Sequence, residues 1–320
     1  ARRFPGTLAA GAAQANARQV AMSMPPYDDR DGYIWQDGDL VPWRDATCHV
    51  LTHGLHYASC VFEGERLYHG HIFKRDEHHQ RLLDSARILG FEVPYSVAEL
   101  NEAANAVARA NGIANGYVRP VAWRGSEQMG ISAQRNRIHV AIAAWTWGDY
   151  FGSDGRLQGI RMRTADWKRP SPETAPAKSK AAGLYMICVL SKHQAEAEGY
   201  KDALMLDYRG RIAEATGANI FLVRNGELHT PEPDCFLDGI TRRTVMALAR
   251  ERGYTVRERA VMPEELADTD EVFITGTAAE VTPVASIDRH EFTVGAVTRE
   301  LMGAFEDLVN NPASWDQAPA

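Results

Sequence analysis

The sequence predicts an α+β fold in two parts. Three observations lead there. Turn signals recur between short apolar runs, at Asp37-Gly38, His69-Gly70 and Asn225-Gly226, as they do in hairpins. Helical spacing is confined to a few long stretches. Strands and helices do not alternate regularly, which argues against a doubly wound parallel sheet. Residues 1–30 are read as a flexible tail, 31–151 as a small α/β domain, 152–159 as an interdomain linker and 160–320 as a large domain.

Each element has a local reason. Residues 33–41 read as two strands turning at Asp37-Gly38, and Arg66–Tyr68 pairs with Ile72-Phe73 around His69-Gly70. From Arg75 to Leu89 the apolar positions Leu82, Leu83, Ala86 and Leu89 fall on one helical face. Ser96-Val-Ala-Glu99 is a capping box that opens the next helix. Strands follow at Gly116–Trp123 and Ile138–Trp147, and Tyr150–Gly155 reads as a linker because glycine and polar residues interrupt it. The large part begins with a strand near Ile160–Thr164. A helix after Lys180 reaches about Glu198 and stops at Gly199. Strands are expected at Ala203–Leu206, Arg211–Glu214, Asn219–Val223 and Val272–Thr275. Helices are expected from Gly239 to Arg252 and from Thr298 to Val309.

Bulk composition excludes several functions. With 35 Lys and Arg against 42 Asp and Glu, the net charge is −7, the wrong sign for a phosphate-neutralising nucleic-acid surface. No apolar run approaches the roughly 20 residues of a membrane span. Cys48, Cys60, Cys188 and Cys235 are scattered without a CxxC pair, so a disulfide framework and structural zinc are not expected and a cytoplasmic location is. The first 27 residues carry Arg2, Arg3 and Arg18 and no acidic residue. That composition suits an organellar transit segment, or more plainly a tail preceding a start at Met22 or Met24.

Chemistry concentrates between Lys180 and Pro283. In order come Lys180-Ala-Ala-Gly-Leu-Tyr185, Glu214-Ala-Thr-Gly-Ala-Asn-Ile-Phe221, Gly239-Ile-Thr-Arg242 and Gly276-Thr-Ala-Ala-Glu-Val-Thr-Pro283. An amine, a carboxylate and two glycine-led turns are the parts needed to hold a pyridine aldehyde phosphate. The amine forms an imine, the carboxylate pairs with the ring nitrogen, and the turns offer N–H groups to the phosphate. A free lysine is protonated near neutrality and needs an apolar pocket, or conversion to an imine, before it acts. Lys178 is an equally plausible amine from composition alone.

These fragments, in this order, resemble the fold-type IV pyridoxal-phosphate (PLP) enzymes, and specifically the branched-chain amino acid aminotransferases, from about Asp31 to about Ile287. The pattern Lys-x-x-Gly-x-Tyr selects Lys180 over Lys178. The resemblance implies a large domain of barrel-like form. It also implies that Lys180 holds PLP as an imine and moves the proton between substrate Cα and cofactor C4′. Glu214 pairs with the ring nitrogen and Tyr185 with the phenolic oxygen. Ile240, Thr241, Thr277 and Arg81 hold the phosphate. On the substrate side, His53-Gly-Leu-His-Tyr57, Phe62-Glu-Gly64 and Arg66, Tyr117-Val-Arg119 and Met129-Gly130 match the family. Tyr57, Phe62, Met129 and Trp147 are expected to form an apolar slot, with Gly64 leaving room beside the cofactor. Tyr117 and the N–H groups of Thr277 and Ala278 receive the α-carboxylate. Arg119, with Tyr57, takes the side-chain carboxylate of glutamate. Two departures stand out: Ala218 where many relatives have Glu, and Gln128 where many have Gly.

The implied reaction is ping-pong transamination between L-branched-chain amino acids and 2-oxoglutarate. The resemblance also implies a homodimer or higher homo-oligomer, a hexamer included, because the Tyr57 segment and the Met129 loop serve a neighbouring subunit in this family. A D-amino acid or (R)-amine transaminase of the same fold, an aminodeoxychorismate lyase and a non-enzymatic relative are the competing readings. The pairs His53/His56 and His78/His79 lack a third ligand at zinc-protease spacing, so no metal is expected. There is no GxGxxG after a strand, no GxxxxGK[ST] and no GxSxG.

Overall fold

The computed structural model describes residues 25–148 and 150–317, so most of the expected tail lies outside the described residues. The first part is built on strands β1 (Tyr33–Gln36), β2 (Asp39–Pro42), β3 (Cys60–Phe62), β4 (Glu65–Tyr68), β5 (His71–Ile72), β6 (Gly116–Arg124) and β7 (Ile138–Thr146). They form one antiparallel sheet in the order β2-β1-β7-β6-β4-β5, with β3 also on β6. The hairpins turn where expected. Asp37 and Gly38 both have positive φ, as do His69 and Gly70, which matches the twist that a two-residue loop needs.

A short helix, α1 (His53–Tyr57), precedes β3, and helices α2 (Arg75–Ile88) and α3 (Val97–Ala110) cover one face of the sheet. Ser96 and Glu99 make both bonds of the capping box at the start of α3. Leu82, Ala86, Leu100, Ala104 and Val107 from the two helices pack on Val61, Val118, Val140 and Ile142 from the strands.

Residues 152–158, expected within a linker, are a helix instead: α4 (Gly152–Gln158). The glycines suggested a chain break, but Gly155 is packed against Phe151 and Ile160, and Arg156 pairs with Glu306 at 2.5 Å. Docking overrides weak helix propensity here. Gly159, at φ 83°, ends the helix.

The second part contains β8 (Ile160–Thr164), α5 (Met186–Ala197), β9 (Asp202–Leu206), β10 (Ile212–Ala215), β11 (Asn219–Arg224) and β12 (Glu227–Pro231). It continues with α6 (Ile240–Glu251), β13 (Val256–Arg259), β14 (Glu271–Gly276), β15 (Glu280–Ile287), β16 (His290–Glu291) and α7 (Ala296–Val309). The helix expected from Lys180 begins instead with a 3₁₀ turn at Ala182–Tyr185 before α5. The pairing order β10-β9-β8-β15-β14-β11 closes on itself through β10–β11, giving a six-stranded barrel. Alternation along each strand sorts the side chains. Ile220, Leu222, Val272 and Ile274 join one core cluster with Ile160, Met162 and Leu204, while Phe221, Val223 and Phe273 join another with α6 and α7.

Candidate active site

The cofactor residues predicted from the sequence line one cleft. Arg81, Lys180, Tyr185, Glu214, Ile240, Thr241 and Thr277 all face it. They come from α2, the segment before α5, the 3₁₀ turn, β10, the start of α6 and the β14–β15 turn. The fold thus gathers residues that lie far apart along the chain.

Lys180 is held from the other part of the molecule. Its N–H donates to Ser85 Oγ on α2 at 3.0 Å, and its carbonyl accepts from Phe62 N on β3 at 3.2 Å. Ser179 Oγ adds a bond to Ser85 O at 2.9 Å. The side chain is left to the cleft: Nζ donates to Tyr185 Oη at 3.0 Å and stands 5.2 Å from the Phe62 ring centroid. Lys178 does not line the cleft.

Glu214 is buried on β10, and burial pushes its carboxyl up to about 7, against the opposing pull of Arg169 and then Lys180. Arg169 Nε stands 3.3 Å from Glu214 Oε1, and both side chains are buried. Sequence reasoning missed Arg169. Nothing in Trp167-Lys-Arg-Pro170 marks it. It reaches the site because its N–H donates to Leu206 O at the end of β9. Cys188, on α5, lies 3.5 Å from the same guanidinium, and burial raises its thiol to about 11, so it stays protonated.

The end of the cleft expected to take the phosphate is built from a helix start, a guanidinium and a turn. Gly239 is the residue before α6, whose first N–H groups have no partner within the helix. A Cβ at Gly239 would collide with Asn219 Oδ1, which accepts the Gly239 N–H at 3.2 Å. Arg81 is fixed by a bidentate pair to Glu63, at 2.6 and 2.8 Å. Glu63 is fully buried and also meets His78 at 2.7 Å. Burial alone would raise its pKa, but the charges and hydrogen bonds of Arg81, then His78, hold it well below the usual carboxylate range. Glu63 was visible within the Phe62-Glu-Gly64 pattern, but no role attached to it.

This donor set fits PLP. Arg81, Arg169 and Lys180 face the cleft beside a helix start, and with Glu63 on Arg81 and Glu214 on Arg169 the surplus is positive, the sign an anionic phosphate needs. Thr275 Oγ1, in the same lining, is buried with no hydrogen-bond partner among the described residues.

A second cavity adjoins, sharing Lys180, Tyr185, Gly217 and Thr277 with the first. Phe62, Gly64, Tyr117, Arg119, Trp147 and Ala278, which the sequence reading assigned to the substrate side, line it together. The Tyr117 ring packs at a tilt on Trp147, centroids 5.2 Å apart, and a Cβ at Gly64 would collide with the Tyr117 hydroxyl. Arg119 donates to Tyr117 Oη at 3.3 Å and lies over the Phe62 ring, while its buried Nε has no partner among the described residues.

Three expected residues do not reach this cavity within one chain. Tyr57 sits on α1 against His53, 45% exposed, and Met129 is at a loop, 46% exposed. Arg66 lies next door, 3.6 Å from Glu280, because strand alternation on β4 turns it and Tyr68 toward the β14–β15 hairpin.

Known proteins supply the comparison. The pattern of the amino-transferase class IV family matches residues 60–287. A branched-chain-amino-acid aminotransferase of Pseudomonas aeruginosa is 44% identical over 289 residues, covering 88% of this chain and 94% of its own. The crystal structure of the Escherichia coli branched-chain amino acid aminotransferase superposes with a TM-score of 0.85 at 40% identity, over 88% of this chain and 96% of that one. A T.th. branched-chain amino acid aminotransferase with pyridoxamine 5′-phosphate gives 0.86 at 38% identity, over 90% and 98%. Sequence, barrel and cleft agree, and the chain belongs to the class IV aminotransferase family.

Proposed function

We propose that this enzyme transfers the amino group of L-leucine, L-isoleucine or L-valine to 2-oxoglutarate, giving the branched 2-oxo acid and L-glutamate, with pyridoxal 5′-phosphate as cofactor. One observation carries the reading: the cleft with Lys180 and Glu214 opens onto an aromatic-walled cavity that also holds Arg119. An apolar side chain and an acidic one must use that cavity in turn. Phe62, Tyr117 and Trp147 favour the branched side chain at about 0.8 kcal/mol per buried CH₂. The unpartnered Nε of Arg119 suits the second carboxylate of glutamate. The relatives named above share the activity in their names, and none is a lyase or a D-amino acid enzyme.

Bound PLP supplies an electron sink for the bond broken at substrate Cα. The protein supplies the rest. Lys180 Nζ is the amine that would anchor the cofactor and would then carry the proton between substrate Cα and cofactor C4′. Tyr185 holds that amine in place at 3.0 Å. Glu214, titrating near 7, brings a proton to share with the ring nitrogen, and Arg169 keeps the resulting carboxylate in register. Arg81, Ile240, Thr241 and Thr277 receive the phosphate. Tyr117 with the N–H groups of Thr277 and Ala278 receives the α-carboxylate.

Tyr57 and Met129 are assigned to the cavity of a neighbouring copy, which makes the working unit a homodimer or a larger assembly of dimers. Their half-exposed positions, away from their own cavity, support this. Four free cysteines accord with a cytoplasmic setting. Among the described residues no helix is long and apolar enough to cross a membrane.

Glutamate formation from L-leucine and 2-oxoglutarate tests the activity directly. The Lys180→Ala variant is expected to lose it entirely while keeping the wild-type circular dichroism spectrum, and borohydride is expected to label wild type but not the variant. Undiminished turnover in that variant would remove Lys180 from the mechanism.

A further inference from the structure

The turn that faces both cavities is tied across the molecule by a contact the reaction scheme does not use. Thr277, Ala278 and Ala279 connect β14 to β15, and Glu280 closes the turn opposite Gly276. Glu280 has φ +52°, left-handed backbone that is uncommon for a residue with a side chain. Its carboxylate is tied to the other sheet. Tyr68, on β4 of the other sheet, donates its hydroxyl proton to Glu280 Oε1 at 2.6 Å, across 212 residues of chain. Arg66, on the same face of β4, stands 3.6 Å from that oxygen and donates to Gly148 O at 3.3 Å. The Tyr68 ring is packed in the core with Phe73 and Phe221, so the hydroxyl has a fixed origin.

We infer that Tyr68 and Glu280 form a latch that holds the 277–279 turn in its anion-receiving shape, making both positioning residues for the substrate carboxylate and, through Thr277, for the cofactor phosphate. The inference rests on the transaminase reading of this site. It has a geometric basis that stability alone does not explain: the bond ends on the one residue that closes the turn facing both cavities.

The test uses the PLP-loaded enzyme and four variants, Tyr68→Phe, Glu280→Gln, Glu280→Gly and the double variant Tyr68→Phe/Glu280→Gly. Phenylalanine keeps the packing and loses the hydroxyl. Glutamine keeps an acceptor for Tyr68. Glycine keeps the left-handed backbone at no steric cost and loses the carboxylate. The probe is 4-methylpentanoate, a branched carboxylate without an amino group, titrated calorimetrically. Losing one charge-assisted bond is expected to weaken its binding about tenfold in Tyr68→Phe and in Glu280→Gly. The KM for L-leucine should rise alongside while kcat stays within about twofold. The double variant should be no weaker than the weaker single, because the two changes remove one interaction. Glu280→Gln should stay within about threefold of wild type. Wild-type affinity in Glu280→Gly, or additive losses in the double variant, would overturn the latch. Failure of the wild type to transaminate leucine would instead overturn the functional reading. The latch would then be decided by PLP release on dilution, which it requires to be faster in Tyr68→Phe and Glu280→Gly than in wild type.

Discussion

Glu214 carries the clearest pH signature among the site residues. In the folded, cofactor-free chain it titrates near 7, whereas an unfolded glutamate does so near 4.3. Between those values the folded state holds a proton that the unfolded state has released. Stability is therefore full below about pH 4.3 and falls as pH rises toward 7, by up to about 4 kcal/mol. Urea midpoints of the cofactor-free protein from pH 5 to 8 should show this decline, and Glu214→Gln should lack it. A decline that survives the substitution would place the proton elsewhere. In the loaded enzyme the same variant should lose most of its rate and keep the cofactor. Lys180, Tyr185, Glu214 and the two glycine-led turns were legible in the sequence because each sits in a short local pattern. Arg169 and Glu63 were not. They act by pairing with Glu214 and Arg81, each well outside its own local window, and the burial of a charge is a tertiary fact that no such window contains.

At the scale of elements, the start of α6 joins the sheet to the end of the cleft proposed to receive the phosphate. Gly239 has φ −64°, an ordinary value, so its lack of a side chain matters for space and not for backbone freedom. Gly239→Ala should displace the Asn219 side chain, which also donates to Leu237 O at 2.9 Å, and shift the first turn of α6. We expect about a tenfold weaker affinity for PLP, measured by titrating the cofactor-free protein, with little change in secondary structure. Unchanged affinity would mean that the helix start does not hold the phosphate. Local rules read many elements correctly. The three turn pairs fixed hairpins, Ser96 and Glu99 fixed the start of α3, and Gly199 and Gly253 mark where helices have ended. The barrel's closure was not readable from local rules. Its β10–β11 seam is a local turn, but the ladders that carry the rest of the ring join distant segments, β8 with β15 and β11 with β14, and the parallel β12–β13 ladder beside it spans a whole helix. Such pairings depend on the finished topology. The glycines before β8 misled for the opposite reason: close packing, not flexibility, accounts for Gly155.

At the scale of the molecule, assembly and activity should be inseparable. If the cavity borrows Tyr57 and Met129 from a neighbour, specific activity should fall on dilution in step with the loss of dimer seen by sedimentation. A monomer with full activity toward leucine would refute the shared cavity. Within a chain the coupling is already close, since Ser85 and Phe62 of the first part grip the backbone of Lys180 in the second. Chimaeras inherit a constraint from this. Exchanging the first part for that of a cousin exchanges the clamp on Lys180 too, so recombination breakpoints between the two parts will give working hybrids only where the donor brings an equivalent serine and strand edge.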